Sequence, residues 1–462
     1  MIELDVFREL LGPTGVLSAE ETAERPEHFR RQTIPRSALG LVRPRTTEEL
    51  SAVLRICHAA GQPVCVQGGT TGLDGAVSTS GELALSLERM NAIETIDRVN
   101  RIAVVQAGCI LQTFQEAVAA EGAYYGVDYG GRGSATIGGN IATNAGGMTV
   151  LRYGMTREQV LGLEVVLADG TIVSSMNKML KNNAGYDLKQ LFIGTEGTLG
   201  VVTRAVLRLR PQTSSVNSAL LAFEGFAQVE QFLRLCQDRF GETLTSFEVM
   251  WQEHYDHVIA FSGRRAPLRT GHAFYANIEV RGTDQDRDTD HFETVLGGAL
   301  EAGMVVDAVI PKSKAAIAEV WSPREDMTWA NSHYADFAVG DISLPIGDMD
   351  VYIAGISQAM KARWPESGLY AFGHIADGNV HVLAVPGNRD PERMEECLGL
   401  IYEPLEAIGG SIAAEHGIGK QKVRFLHKSR GPAEIELMRG LKRMFDPKCI
   451  LNPGRVVAAQ AS

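Results

Sequence analysis

Residues 133–147 read GSATIGGNIATNAGG, a run in which glycines alternate with small hydroxyl and amide side chains. Glycine carries no Cβ and reaches positive φ without strain, so such a run can bring backbone N–H groups close to a ligand. Two further glycine segments lie on either side. Gln67-Gly68-Gly69-Thr70-Thr71-Gly72 follows the β-rich PVCV, and Gly194-Thr-Glu-Gly-Thr-Leu-Gly200 precedes the strand-like VVTRAVLRLRP. One glycine pair is an ordinary turn. Three glycine loops set against strand-like runs predict a surface that wraps an extended anionic ligand such as a pyrophosphate. Neither GxGxxG opening a βαβ unit nor GxxxxGK[ST] occurs, which argues against a Rossmann or P-loop site.

Around these loops the chain alternates helix and strand signals. TTEELSAVLRICHAAG is a helix that Thr46 or Thr47 can cap, with Leu50, Val53, Leu54 and Ile56 at helical spacing. ELALSLERM, RIAVVQAG, EVVLADGTIV and GVVTRAVLRLRP read as strands, with Ala168-Asp169-Gly170 as a hairpin turn. Composition changes at Arg210-Pro211, a domain boundary. Beyond it, helices (FAQVEQFLRLC, FETVLGGALEAG, AAIAEVW) alternate with strands (HAFYANIEV, LYAFGHIA, NVHVLAVPG), and PAEIELMRGLKRMFDP is a closing amphipathic helix. The expected division is 1–211, 212–420 and 421–462.

Bulk composition narrows the function. A chain of 462 residues is long enough for two or three cores. With a formal charge of −12 and no basic block, it disfavours nucleic acid and a polybasic membrane anchor. No apolar run has the ~18 residues of a membrane span, and the acidic N-terminus lacks a signal-peptide layout, so the cytoplasm is the expected address. The six cysteines form no CxxC and read as reduced thiols.

The second half holds Gly373-His374-Ile-Ala-Asp377-Gly378-Asn379-Val-His381, in which two imidazoles flank an Asp-Gly-Asn bend and can converge. Ala414-Glu415-His416-Gly417-Ile-Gly419 adds a carboxylate and a third imidazole. Two His and one Glu suit a divalent metal that keeps an open position. Taken alone, such a histidine pair is more commonly a satisfied core histidine or a surface turn than a ligand set. Arg324, in Glu319-Val-Trp321-Ser-Pro-Arg324-Glu325, taken alone reads as a solvated charge at a helix end.

The segments QGGTTGLDGA (67–76), GSATIGGNIATNAGG, RYGMTREQVLGLEVVLADGT (152–171) and GYDLKQLFIGTEGTLGVVT (185–203) resemble the FAD domain of vanillyl-alcohol-oxidase-type flavoproteins. Within that fold the chain is most similar to the FAD-linked D-2-hydroxyglutarate/D-lactate dehydrogenase group. The resemblance implies an α+β architecture: a two-part FAD-binding domain, an α+β substrate (cap) domain, and a C-terminal helical segment returning to the FAD domain. It implies that Gln67, Gly68, Gly69, Thr70, Thr71 and Gly72 hold the pyrophosphate. Gly133, Ser134, Thr136, Gly138, Gly139, Asn140, Thr143 and Asn144 would line the ribityl and isoalloxazine region. Glu196, Gly197, Gly200 and Val201 would sit on the adenine and ribose side, and Asn452 near the reactive side. Some relatives attach the flavin through a His or Cys in the first loop; Thr and Gly stand there in this chain, which implies non-covalent FAD.

By the same resemblance His374, His381 and Glu415 would bind zinc or manganese, His416 would be the general base, Arg324 would hold the substrate carboxylate and Thr328 would touch the substrate. The chemistry fits: the hydroxyl proton must leave as the α-hydride passes to flavin N5, and a metal on the hydroxyl lowers its pKa and orients the carbon. An electron-transfer flavoprotein, cytochrome or quinone would take the electrons, and a homodimer is the expected assembly.

Three positions depart from the group. Val339 stands where relatives specific for D-2-hydroxyglutarate have a Lys for the distal carboxylate, Leu383 replaces the Asn of HLN, and Ala376 replaces a Gly of the metal motif. The first two favour a small D-lactate-like monocarboxylate. The alternatives are a D-2-hydroxyglutarate dehydrogenase, an O₂-using glycolate or 2-hydroxyacid oxidase, an NADPH-dependent enol-ether reductase that would leave the His–Glu set without purpose, and a non-catalytic flavin subunit of a glycolate-oxidase-like complex.

Overall fold

The computed structural model describes residues 2–25, 37–327, 329–330, 337–387 and 390–458. The chain divides into two units, Met1–Gly146 with Gly154–Gln212 and Glu415–Ser462, and Gly147–Tyr153 with Thr213–Ala414. The return to the first unit thus falls between Ala414 and Glu415 rather than at 420, and a short piece after the second glycine loop joins the second unit.

The first unit holds two principal sheets. In one, Gly40–Val42, Leu83–Ser86 and Val64–Gln67 run parallel, with Val16–Ser18 antiparallel at the edge. Val42, Leu83, Ala84, Leu85, Val64 and Cys65 are all buried, as expected for a parallel sheet covered on both faces. The expected helix runs Thr47–Ala60; the Thr46 hydroxyl accepts from the Glu49 N–H, and Gly61 ends it at φ 64°. The other sheet is antiparallel, in the order Ile93–Asp97, Ile102–Gln106, Val201–Arg208, Val160–Val166, Ile172–Ser175. Its last hairpin closes at the expected turn, where the Leu167 N–H donates to Thr171 O and Gly170 takes φ 84°.

The C-terminal helix Pro432–Phe445 stops before Asp446-Pro447, and the chain then joins the same core. The Val64 N–H donates to Ile450 O (2.7 Å), and the Asn452 N–H to Val64 O (2.9 Å). Arg455, 1% exposed, donates to the carbonyls of Ser78 (2.6 Å) and Pro453 (3.0 Å), to Ala76 O, and pairs with Glu82 (3.4 Å). One guanidinium therefore ties the end of the chain to the segment after the first glycine loop.

The second unit is built on one antiparallel sheet in the order Asp307–Val309, Ser215–Phe223, Phe274–Gly282, Leu244–Trp251, Gly368–His374, Asn379–Val385, Ala338–Ser343. Side chains alternate across it. One face carries Phe223, Phe247 and Gly340. Helix Phe226–Phe240 packs there through Phe232, and helix Pro391–Tyr402 through Ile401 against Gly340. The opposite face carries Glu248, Met250, Phe372, His374, His381, Asp341 and Val339 and is partly covered by helices Gln252–Ser262 and Lys314–Glu325. Among the described residues no helix is long and apolar enough to cross a membrane, and all six cysteines are free thiols.

Arg455→Met should destabilise the protein by roughly 3 kcal/mol or more, because it leaves the Glu82 carboxylate and the carbonyls of Ala76, Ser78 and Pro453 each short of a donor. Denaturant unfolding checks this; a loss under about 1 kcal/mol, the scale of an exposed pair, would show that the C-terminal tie is dispensable.

Candidate active site

In the first unit all three glycine loops contribute to the wall of one open cleft. Its lining includes Gln67, Gly68, Thr136, Gly138, Gly139, Thr143, Glu196, Gly197, Gly200, Val201 and Asn452, with Leu87 and Val202 as apolar walls. The other expected contacts build the loops that border it. A Cβ on Gly69 would lie 1.9 Å from the Ser134 carbonyl oxygen, so the first two loops pack backbone on backbone. The Tyr129 hydroxyl donates to Asn140 Oδ1 (2.6 Å), and Asn144, at φ 52°, ends helix Ile137–Thr143 and accepts the Arg157 N–H. Of the seven described non-glycine residues with positive φ, four (Thr70, Asn144, Glu196 and Asn452) are expected cofactor residues. Backbone strain thus concentrates at this cleft. Glycine-backed walls and threonine hydroxyls suit the phosphates of a dinucleotide.

The Glu196 carboxylate faces the return segment. It accepts N–H bonds from Ile418 (2.6 Å) and Gly419 (2.9 Å), and the Asn452 amide donates to the Glu196 carbonyl. Burial raises this carboxyl to about 7, with the Asp74 charge adding to it and the two N–H groups opposing it. Its link is therefore to the turn that follows His416.

In the second unit the sheet register assembles the other group. Phe372 pairs with His381, and Glu248 with His374, which sets both imidazoles on one face with centroids 5.5 Å apart. The turn between their strands is Ile375–Asp377 with Gly378 at φ 88°. Each ring turns Nδ1 toward a buried carboxylate: His374 to Glu248 at 2.5 Å, and His381 to Asp341 at 3.5 Å. In the tautomer that donates from Nδ1, Nε2 carries the lone pair a metal needs, and carboxylate-backed histidines are the usual support of a metal site. These donors fit a divalent ion.

Arg324 lies at the end of helix Lys314–Glu325, which Pro323 interrupts; Pro323 has no N–H for the Glu319 carbonyl, and the Ser322 hydroxyl donates to it instead. The reading of Arg324 as a solvated charge does not hold: the residue is 8% exposed, its Nε donates to Glu248 (2.8 Å) and its guanidinium lies 4.7 Å from the Phe372 ring centroid. Its terminal NH₂ groups have no hydrogen-bond partner among the described residues. Val339 and Leu383 face each other across strands, next to Tyr370. Glu415 and His416 stand directly after Ala414, whose N–H donates to Asp341 O. Thr328 lies outside the described residues.

Sequence reasoning missed Glu248, whose strand LTSFEVMW carries no motif. Burial opposes its charge, but His374 and Arg324 together hold its carboxyl down at about 2. It also missed His254, whose ring lies tilted with its centroid 4.3 Å from that of Phe372, and whose pKa burial and then the Arg324 charge lower to about 3.

Glu196 gives a pH prediction. Its folded pKa is raised, so its contribution to stability is fully present below about 4.5 and is lost as pH rises through about 7. Glu196→Gln should remove a fall on the order of 2 kcal/mol between those limits. Urea unfolding at pH 5 and pH 8 checks it, and an unchanged pH dependence in the variant would contradict the assignment.

Two family descriptions match the chain. The family described as FAD binding domain matches residues 38–175, and FAD linked oxidases, C-terminal domain, matches residues 212–456. The chain is 38% identical over 456 residues to the mitochondrial D-2-hydroxyglutarate dehydrogenase of Bos taurus, covering 98% of this chain and 83% of that protein. It is 38% identical over 442 residues to the D-2-hydroxyglutarate dehydrogenase of Xanthomonas citri pv. viticola, covering 93% and 92%. Among solved structures, p-cresol methylhydroxylase with substrate bound matches with a TM-score of 0.79 at 18% identity, over 98% of this chain and 95% of that one, a likeness of fold. The α+β, vanillyl-alcohol-oxidase-type architecture follows, and the chain belongs to the FAD-linked D-2-hydroxyacid dehydrogenases, flavoprotein oxidoreductases acting on CH–OH donors.

Proposed function

We propose that the protein oxidises a small D-2-hydroxy acid with one carboxylate, D-lactate-like, to the 2-oxo acid, with non-covalent FAD and a divalent metal, zinc or manganese. The observation that carries this reading is Arg324: a largely buried guanidinium, anchored through Nε to Glu248, whose terminal NH₂ groups take no hydrogen-bond partner among the described residues and which shares that carboxylate with one of two carboxylate-backed imidazoles. Such a fork suits a substrate carboxylate in two-point contact. When bound, FAD supplies the hydride acceptor and the metal supplies the positive charge that makes the hydroxyl acidic. His374, His381 and Glu415 would hold the metal, and His416 would take the hydroxyl proton at its imidazole. The electrons would pass on to an electron-transfer flavoprotein, cytochrome or quinone.

The substrate tail would meet the row Val339–Leu383–Tyr370, which carries no basic side chain. A second carboxylate set against this row would be desolvated with no cationic partner from the row itself, a cost of several kcal/mol. The names of the relatives favour a second reading, D-2-hydroxyglutarate itself. Steady-state kinetics with a dye acceptor separate the two. We expect kcat/KM for D-lactate to exceed that for D-2-hydroxyglutarate at least tenfold, and Val339→Lys to shift the ratio toward the dicarboxylate by about tenfold, ~1.4 kcal/mol. A wild-type preference for D-2-hydroxyglutarate would sink the monocarboxylate reading and leave the dehydrogenase class intact.

A further inference from the structure

We propose that Glu248 is a positioning residue that couples the substrate-carboxylate clamp to the metal-binding imidazole, so that one buried side chain sets the spacing between them. The inference rests on the roles proposed above for Arg324 and His374.

Glu248 sits in mid-strand, directly across from His374 on one side and Asn277 on the other, with its side chain 1% exposed. Its two oxygens are divided between two partners. Oε1 lies 2.5 Å from His374 Nδ1, and Oε2 accepts from Arg324 Nε at 2.8 Å. An ionised carboxylate has no proton to give, so His374 must donate from Nδ1 and keep its lone pair on Nε2. Arg324 is held by the one N–H that a carboxylate ligand does not need for a two-point contact, and the Phe372 ring supports the guanidinium plane. Because the carboxylate is planar, the ring and the guanidinium cannot shift independently. In a 2-hydroxy acid the carboxylate and the hydroxyl are on adjacent carbons, so the clamp and the metal must be reached at a fixed spacing. A side chain that ties their supports together is what that substrate class requires.

The test uses the FAD-loaded, metal-loaded enzyme and Glu248→Gln, which keeps the shape but removes the charge and can accept from only one of the two partners. Two quantities are read. One is metal retained per chain in competition with EDTA; the other is the Kd of oxalate, followed by the shift it causes in the flavin absorbance. We expect both to weaken at least about fivefold, since supports of this kind are typically worth ~10–100-fold in metal affinity. A smaller change in either quantity overturns the coupling, including the case in which the melting temperature alone falls. Where the Gln variant does not fold, Glu248→Asp serves under the same criterion, since it keeps the charge but is too short to reach both partners. Arg324→Met and His374→Ala mark the underlying reading. A wild-type enzyme that holds no metal, or an Arg324→Met variant with unchanged oxalate affinity, overturns that reading and the coupling with it. Both controls behaving as assigned while Glu248→Gln matches wild type overturns Glu248 alone.

Discussion

The constraint on which the second unit depends is the register of its antiparallel sheet. Side chains alternate with a period of two, so a slip of one residue would send His381, His374, Glu248 and Asp341 to the opposite face, under the helices that cover Phe247 and Gly340. Register is held by apolar pressure on that covered face, where Phe223, Phe232 and Phe247 are buried together. Packing on one side of the sheet thus fixes chemistry on the other. The burial that excludes water from Phe372 and Trp329 also keeps the ion pair of Glu248 and Arg324 in a low-dielectric setting, where it orients strongly.

The first unit solves a different problem, that of holding glycine-rich backbone in one shape. Glycines 68, 69 and 138 permit close approach of loops but supply no side chains to lock them. Locking comes from polar ties to distant parts of the chain: Asn452 bridges Val66 and Glu196, Arg455 holds the carbonyls of Ala76 and Ser78, and Glu196 caps the turn at Ile418 and Gly419. The C-terminal return is therefore part of the cofactor cleft's wall as well as of its core. The segment that carries Glu415 and His416 is shaped by a residue of the third glycine loop.

Legibility in the sequence followed distance along the chain. The glycine loops, the capped helix Thr47–Ala60, the hairpin at Asp169-Gly170 and the His374–His381 pair are local, and each could be read from spacing and turn chemistry. Glu248 could not: its partners Arg324 and His374 are 76 and 126 residues away, and nothing in SFEVMW distinguishes it from a strand residue. The same holds for Glu196, whose carboxylate partners lie 222 and 223 residues on, and for the burial of Arg324, which a helix end with Pro323 in it does not announce. Buried ion pairs arise from tertiary packing, and local patterns carry no trace of them.

In the function proposed above, a D-2-hydroxy acid is oxidised by the flavin only when a metal occupies the imidazole face of the second unit. Anaerobic flavin absorbance of the purified holoenzyme tests it most directly, with D-lactate and L-lactate added in turn before and after EDTA treatment. We expect bleaching by the D-enantiomer, its loss after EDTA, and its return with Zn²⁺ or Mn²⁺. Bleaching that survives complete removal of metal would contradict it.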